Sequence, residues 1–325
     1  MTKVAVLDDW QGVARQSADW SELEKRAQVQ VFDKPFNGAA DLVRQVADFE
    51  IIIAMRERSP FPKSVIDQLT NLRMIAVTGP RTWTMDIAAC TARHIPVCHT
   101  GGALASAATA EIALGLLLAA ARHIAPADAS MRDGRFQQRL PVGTALEGKT
   151  LGVIGLGKIG SRMARYGLAL GMRVLAWSRN LTEETASGAG VQRVGKDTLL
   201  RESDAISLHL VLSDQSRGTI GPDELKMMKD SAIVINTSRG PLIDEKPLLE
   251  NLRAGRLIAA LDVFDREPLP VNHPLRSLPN TVLTPHQGYC TQEIYSQFYS
   301  ESIENVLAYL DGNPIRMLNP DALAT

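Results

Sequence analysis

Cysteine is scarce in this chain. Cys90, Cys98 and Cys290 are the complete set, an odd number with no C-x-x-C spacing. That excludes a disulfide framework and a cysteine-built zinc site, and no metal is expected. The three thiols read as reduced apolar fillers of a cytosolic protein. An excess of either charge is lacking too: 35 Lys and Arg against 36 Asp and Glu leave a net charge of −1. No basic surplus marks a nucleic-acid or anionic-membrane partner. Long hydrophobic runs are missing, since Ile112–Ala121 is short for a bilayer and is bracketed by Glu111 and Arg122. Met1–Trp10 opens directly into a strand pattern, without the charged and apolar regions of a signal peptide. A cytoplasmic location is expected, with no internal repeat and no low-complexity segment.

What is present is a βα rhythm over 325 residues, enough for two domains. Lys3–Leu7, Val29–Phe32, Ile51–Met55, Met74–Val77 and Pro96–Cys98 read as strands, separated by helical segments such as Ala39–Val46 and Lys63–Leu69. The alternation predicts a parallel sheet covered on both faces. Thr100-Gly101-Gly102 breaks the pattern and reads as a hinge or linker. Ala103–His123 follows as one long Ala/Leu-rich helix whose apolar face calls for burial against something large, such as a second subunit. Arg132–Thr144 reads as a connecting arm. A second α/β unit has strands expected at Thr150–Ile154, Arg173–Trp177, Ala205–Leu210, Ala232–Thr237, Leu257–Val263 and Thr281–Thr284, and a last helix over Thr291–Leu310.

The second unit opens on Gly155-Leu156-Gly157-Lys158-Ile159-Gly160, a G-x-G-x-x-G between an apolar strand and a helix. In that setting the first glycine makes a tight turn, the second lets backbone approach a pyrophosphate, and the third packs helix against strand. The strand behind it ends in Ser178-Arg179 rather than in an acid. Serine leaves room for a 2′-phosphate and arginine can pair with it, which favours NADP(H). If Arg179 is only a solvated surface residue, NAD(H) binds instead.

Three clusters fall at the expected carboxyl ends of later strands, where open α/β sheets bind ligands. They are Asn236-Thr237-Ser238-Arg239-Gly240, then Leu261-Asp262-Val263-Phe264 running to Glu267-Pro268, then Thr284-Pro285-His286-Gln287-Gly288. An arginine, a carboxylate and a histidine thus arrive from successive strands. Reducing a 2-oxo acid needs a hydride donor, a proton donor and a cation for the carboxylate. Histidine titrates near neutrality and can give the proton. Glu267 can orient that imidazole and balance its positive charge. Arg239 can fork onto a carboxylate. His94, His99, His123 and His273 lack such a setting and read as structural; His209 is a candidate for the adenine pocket.

The four blocks, taken together and in order, resemble those of the D-isomer-specific 2-hydroxyacid dehydrogenases, a family that includes phosphoglycerate dehydrogenases and glyoxylate/hydroxypyruvate reductases. The resemblance implies an α/β fold of two doubly wound parallel-sheet domains. A Rossmann nucleotide-binding domain, residues 101–289, would be inserted into a flavodoxin-like substrate domain, residues 1–100 and 290–325. It implies an enzyme acting on a small D-2-hydroxy or 2-oxo acid with Arg239, Glu267 and His286 catalytic. Asp262 would hold the nicotinamide carboxamide with Thr109, and Thr237, Ser238 and Gly288 would lie along the cofactor. A homodimer through the Ala103–His123 region is implied as well. The sequence departs from the family at Ser178, at Val211 where many members have proline, and in the bulky loop Thr78-Gly79-Pro80-Arg81-Thr82-Trp83. Arg56, Arg58, Gly79 and Arg81 are candidate substrate contacts, and each arginine could equally be a solvated surface charge. The alternative on the same fold is a dinucleotide-sensing binding protein of the corepressor type.

Overall fold

The chain, as a computed structural model, is described over residues 1–80 and 82–323. Arg81, one of the candidate substrate residues, lies outside the described residues. Two compact units divide it: Met1–Leu104 with Cys290–Thr325, and Ala105–Tyr289.

The first unit carries five parallel strands: β1 (Thr2–Val6), β2 (Ala27–Val31), β3 (Ile51–Ala54), β4 (Met74–Val77) and β5 (Val97–His99). Their order is β2-β1-β3-β4-β5. β3 and β4 are buried at every position, as parallel strands covered on both faces must be. Ile52 pairs with Ala5 on one side and Ile75 on the other. The returning chain adds the helix Gln292–Leu310, N-capped by the Thr291 hydroxyl, which buries Tyr295, Phe298, Tyr299 and Val306. Beyond it, the Leu318 N–H bonds to the Val97 carbonyl at 2.8 Å and fastens the chain back onto β5.

The second unit holds seven parallel strands: β6 (Thr150–Ile154), β7 (Arg173–Trp177), β8 (Gln192–Arg193), β9 (Ala205–Leu208), β10 (Ala232–Asn236), β11 (Leu257–Leu261) and β12 (Thr281–Leu283). The order is β12-β11-β10-β9-β6-β7-β8, so the direction of winding reverses between β6 and β9. Apolar cores fill both faces. The expected strands are found within two residues of their boundaries. β8, two exposed residues long, carried no readable periodicity.

Two expectations need correction. The helix expected at Ala103–His123 is Ala105–Arg122; His123 then adopts a left-handed conformation (φ 51°), and a second helix, Ile124–Arg132, where no element was expected, leads up to the connecting arm. A helix cannot continue through such a residue. The apolar segment is also longer than its central run suggested. At 18 residues with a mean hydropathy of 1.3, Ala105–Arg122 is long and apolar enough to cross a membrane. In this unit it packs on β10, β11 and the helix Lys158–Ala169, as a core helix.

Candidate active site

The glycine loop sits at the winding reversal of the seven-stranded sheet. Gly155 takes φ +99°, a conformation that L side chains rarely adopt, and a Cβ there would stand 2.8 Å from the His209 carbonyl oxygen at the end of β9. A Cβ on Gly160 would meet the Gly155 carbonyl at 1.9 Å, which is how closely helix and loop approach. Around Gly157 nothing lies within 4 Å of the missing Cβ. Gly157 is the N-cap of the helix Lys158–Ala169 and offers no side chain to its first N–H groups. Leu156 is buried in the core, Ile159 half-buried and Lys158 exposed. An open glycine and uncapped N–H donors at a helix start make an anion cradle.

Around that crevice, two buried polar atoms have no hydrogen-bond partner among the described residues: Thr237 Oγ1 and His209 Nδ1. His209 Nε2 lies 2.9 Å from the Ser207 hydroxyl, and burial pushes the imidazole down to about 4, so it is neutral at physiological pH. Ser238 donates to the Leu208 carbonyl (3.0 Å), tying the end of β10 to the end of β9. These features fit a bound dinucleotide, which would satisfy the cradle and the orphaned atoms.

Three neighbouring strands then deliver the titratable groups. After β10, Asn236 shapes the turn by accepting from the Ser238 N–H (3.0 Å) and donating to the Arg239 carbonyl (2.8 Å). Arg239, half-buried, donates through Nη1 to the Ser238 carbonyl at 2.7 Å. Gly240 follows, and a Cβ there would lie 2.2 Å from the Phe264 carbonyl carbon. The Arg239 turn is thereby packed, backbone against backbone, on the loop that leaves β11. Within that loop Glu267 folds back: Oε1 accepts the Phe264 N–H at 2.9 Å, and Oε2 lies 2.5 Å from His286 Nδ1. Both side chains remain about one-third exposed, 30% for His286 and 32% for Glu267.

Asp262, only 1% exposed, anchors the third segment. Its Oδ1 accepts the Thr284 hydroxyl (2.5 Å) and the Gln287 N–H (2.9 Å), and its Oδ2 accepts the Gly288 N–H (2.9 Å). Burial raises the Asp262 carboxyl above the usual range; the Thr284 hydroxyl, the Gln287 N–H and the His286 charge oppose the rise. Thr109 donates to the Ala105 carbonyl (2.7 Å) and comes within 3.3 Å of the Gly288 carbonyl.

A family model for the D-isomer specific 2-hydroxyacid dehydrogenase NAD-binding domain matches residues 114–288, which span this crevice. A glyoxylate reductase of Aeropyrum pernix is 36% identical over 93% of this chain and 92% of its own length. A D-3-phosphoglycerate dehydrogenase of Archaeoglobus fulgidus is 38% identical over 85% of this chain, which spans only 52% of that protein. The crystal structure of a phosphoglycerate oxidoreductase from Vibrio cholerae O395 superposes with a TM-score of 0.90 at 34% identity, covering 96% of this chain and all of that one. The chain belongs to the D-isomer specific 2-hydroxyacid dehydrogenases. It is an oxidoreductase that moves a hydride between a hydroxy acid and a nicotinamide dinucleotide.

Other candidate residues of this dehydrogenase stand as follows. Ser178 and Arg179 leave β7, and the Arg179 guanidinium donates to Gln215, to Oε1 at 2.5 Å and to the carbonyl at 3.2 Å. In the first unit neither Arg56 nor Arg58 is a freely solvated charge. Arg58 donates to the Asp8 carbonyl (2.6 Å), reaches the Tyr295 hydroxyl (3.3 Å) and lies 4.6 Å from the Trp10 ring centre. Gly79 adopts φ +87°, and a Cβ there would collide with the Arg56 guanidinium. Asp8, Trp10 and Tyr295, which belong to no motif, cluster with Arg58 where β1 and β3 end. Thr284 and Gly240 stand in the sequence only as parts of motifs. The signal for Gly240 is a glycine directly after the candidate Arg239; for Thr284 it is a hydroxyl two residues before His286.

Proposed function

We propose that this dehydrogenase reduces a small 2-oxo acid, glyoxylate or hydroxypyruvate, to its D-2-hydroxy acid as a cytoplasmic homodimer that prefers NADP(H). The contact between His286 and Glu267 carries the reading, because it sets a proton donor beside a fixed carboxylate on the sheet that bears the glycine loop. The dinucleotide supplies the hydride when bound. Arg239 holds the substrate carboxylate and polarises the carbonyl. His286, with Nδ1 engaged by Glu267, presents Nε2 to give the proton to the forming alkoxide. Asp262 has one acceptor position left on Oδ2 after its three internal donors, and we assign it, with Thr109 and Gly288, to the carboxamide. Thr237, Ser238 and His209 line the cofactor, and Arg58, Gly79 and Arg81 remain candidates for the substrate.

The substrate class is taken from the likeness to the Aeropyrum pernix glyoxylate reductase, 36% identical over 93% of this chain. NADP(H) is favoured by Ser178 and Arg179: a phosphate makes stronger charge-assisted bonds to the guanidinium than Gln215 does. A second copy of the chain is favoured by the apolar side chains left exposed beyond the helix Ala105–Arg122, namely Ile124, Met131, Phe136 and Val142.

Turnover on glyoxylate, hydroxypyruvate and longer 2-oxo acids, with NADPH and NADH in parallel, tests the reading. His286→Ala and Arg239→Ala are each expected to lose roughly 10²- to 10⁴-fold in kcat, while cofactor fluorescence titration shows binding intact. Wild-type turnover in both variants would refute the assigned roles. Arg179→Ala is expected to weaken NADPH binding roughly tenfold or more and to leave NADH binding unchanged.

A further inference from the structure

The backbone at His286 is unusual. Its φ of +52° places a non-glycine residue in the left-handed region, a conformation that persists only where neighbours impose it. The neighbours here converge on one group. The His286 N–H donates to the Asp262 carbonyl (2.8 Å), and the next two N–H groups, of Gln287 and Gly288, each donate to a different oxygen of the Asp262 carboxylate. The turn that presents the imidazole therefore hangs from a buried carboxylate.

Ionised, that carboxylate can accept every donor of the turn at once, whereas a protonated carboxyl has less acceptor capacity and must itself find an acceptor. Burial works against the ionised form. Besides the two backbone donors, the side-chain donor that answers this burial is the Thr284 hydroxyl, 2.5 Å from Oδ1. Thr284 is itself fixed, since its N–H continues the ladder to the Leu261 carbonyl at 2.9 Å.

We infer that Thr284 is a positioning residue for His286, acting through Asp262: its hydroxyl keeps the carboxylate in the form and orientation that pin the turn at Gln287 and Gly288. The inference rests on His286 having the role proposed above. Thr284 touches neither substrate nor cofactor in that proposal, so it is distinct from the residues assigned to the reaction. The same hydrogen bond explains why a carboxylate this buried can be tolerated beneath the loop.

The test compares Thr284→Val, which keeps shape and removes the donor, with Thr284→Ser, which keeps the donor. In the full-length protein, Thr284→Val is expected to lower kcat roughly tenfold, to leave the substrate KM within twofold, and to speed amide exchange at Gln287 and Gly288. Thr284→Ser is expected to restore both kcat and protection of those amides. The inference is overturned if Thr284→Val keeps either wild-type kcat or wild-type exchange, or if Thr284→Ser is as impaired as Thr284→Val. Amide exchange separates this from the wider reading. Full activity in His286→Ala would remove the catalytic role of the histidine, whereas unchanged exchange in Thr284→Val would remove the tether itself.

Discussion

Glu267 is bound at both oxygens, with Oε2 2.5 Å from His286 Nδ1 and Oε1 accepting the Phe264 N–H at 2.9 Å. The carboxylate thus cannot swing away from the imidazole without abandoning its own loop. Glu267→Gln keeps the shape and one acceptor but removes the charge that faces the ring. Because a mispositioned or uncompensated acid–base histidine typically loses orders of magnitude in rate, kcat is expected to fall roughly a hundredfold. NADPH affinity by fluorescence titration should stay within twofold. An unaltered kcat would show that the contact has no part in turnover.

Gly157 and Gly160 stand three residues apart and should fail in different ways. At Gly160 an added Cβ meets a carbonyl oxygen at 1.9 Å, and backbone must move to admit it. Gly160→Ala is expected to destabilise the protein by about 1–3 kcal/mol and to lower the urea midpoint. At Gly157 the missing Cβ would meet nothing. Gly157→Ala should change stability by less than about 1 kcal/mol yet weaken dinucleotide binding roughly tenfold or more, about 1.4 kcal/mol. Equal stability losses in the two variants would contradict the division of labour.

Gly240 gives a third test, at the seam between the Arg239 turn and the Glu267 loop. A Cβ would lie 2.2 Å from the Phe264 carbonyl carbon and 2.4 Å from the Asp265 nitrogen. Neither backbone atom can yield as a side-chain tip would. Gly240→Ala is expected to destabilise by about 3 kcal/mol and to depress kcat further than its loss of folded protein explains. Chemical denaturation and active-site titration of the same preparation separate the two effects. A variant with wild-type stability would mean that this seam is soft.

Much of this arrangement was legible in the residues alone. Parallel strands announce themselves as short apolar runs such as Ile51–Ala54, and the glycine spacing at Gly155–Gly160 needs only its strand and helix to be meaningful. The order Arg239, Glu267, His286 follows from strand ends, because β10, β11 and β12 are neighbours in the sheet as well as successive in sequence. Contacts that depend on side-chain reach were not legible. Nothing in the sequence says that the Asp262 carboxylate is shared by Thr284, Gln287 and Gly288, or that Arg179 turns toward Gln215. The break at His123 was hidden because histidine is only a weak signal for a left-handed turn, whereas glycine is a strong one. Asp8 and Trp10 escaped because adjacent polar and aromatic residues after a first strand look like any loop.

Asp8 yields the last prediction, on stability against pH. It is fully buried, neither carboxyl oxygen meets a donor among the described residues at full hydrogen-bonding geometry although Ser59 and Trp10 stand nearby, and its backbone is left-handed at φ 60°. Burial raises its pKa from 3.8 to about 6, against the opposing pull of Ser59, the Arg58 charge and Trp10. The folded protein therefore binds this proton more tightly than the unfolded chain does. Between about pH 4 and pH 6 the unfolded chain releases it first, so stability falls as pH rises through that window and stays reduced above it. The full loss corresponds to about 3 kcal/mol. Asp8→Asn keeps the shape and cannot ionise. Relative to wild type, the variant should gain up to about 3 kcal/mol at pH 8 and gain nothing at pH 4. Urea unfolding of both proteins at pH 4, 6 and 8 gives the difference directly. The comparison cancels every other titrating group, so a difference that is the same at all three values would mean that Asp8 is ionised, and compensated, throughout.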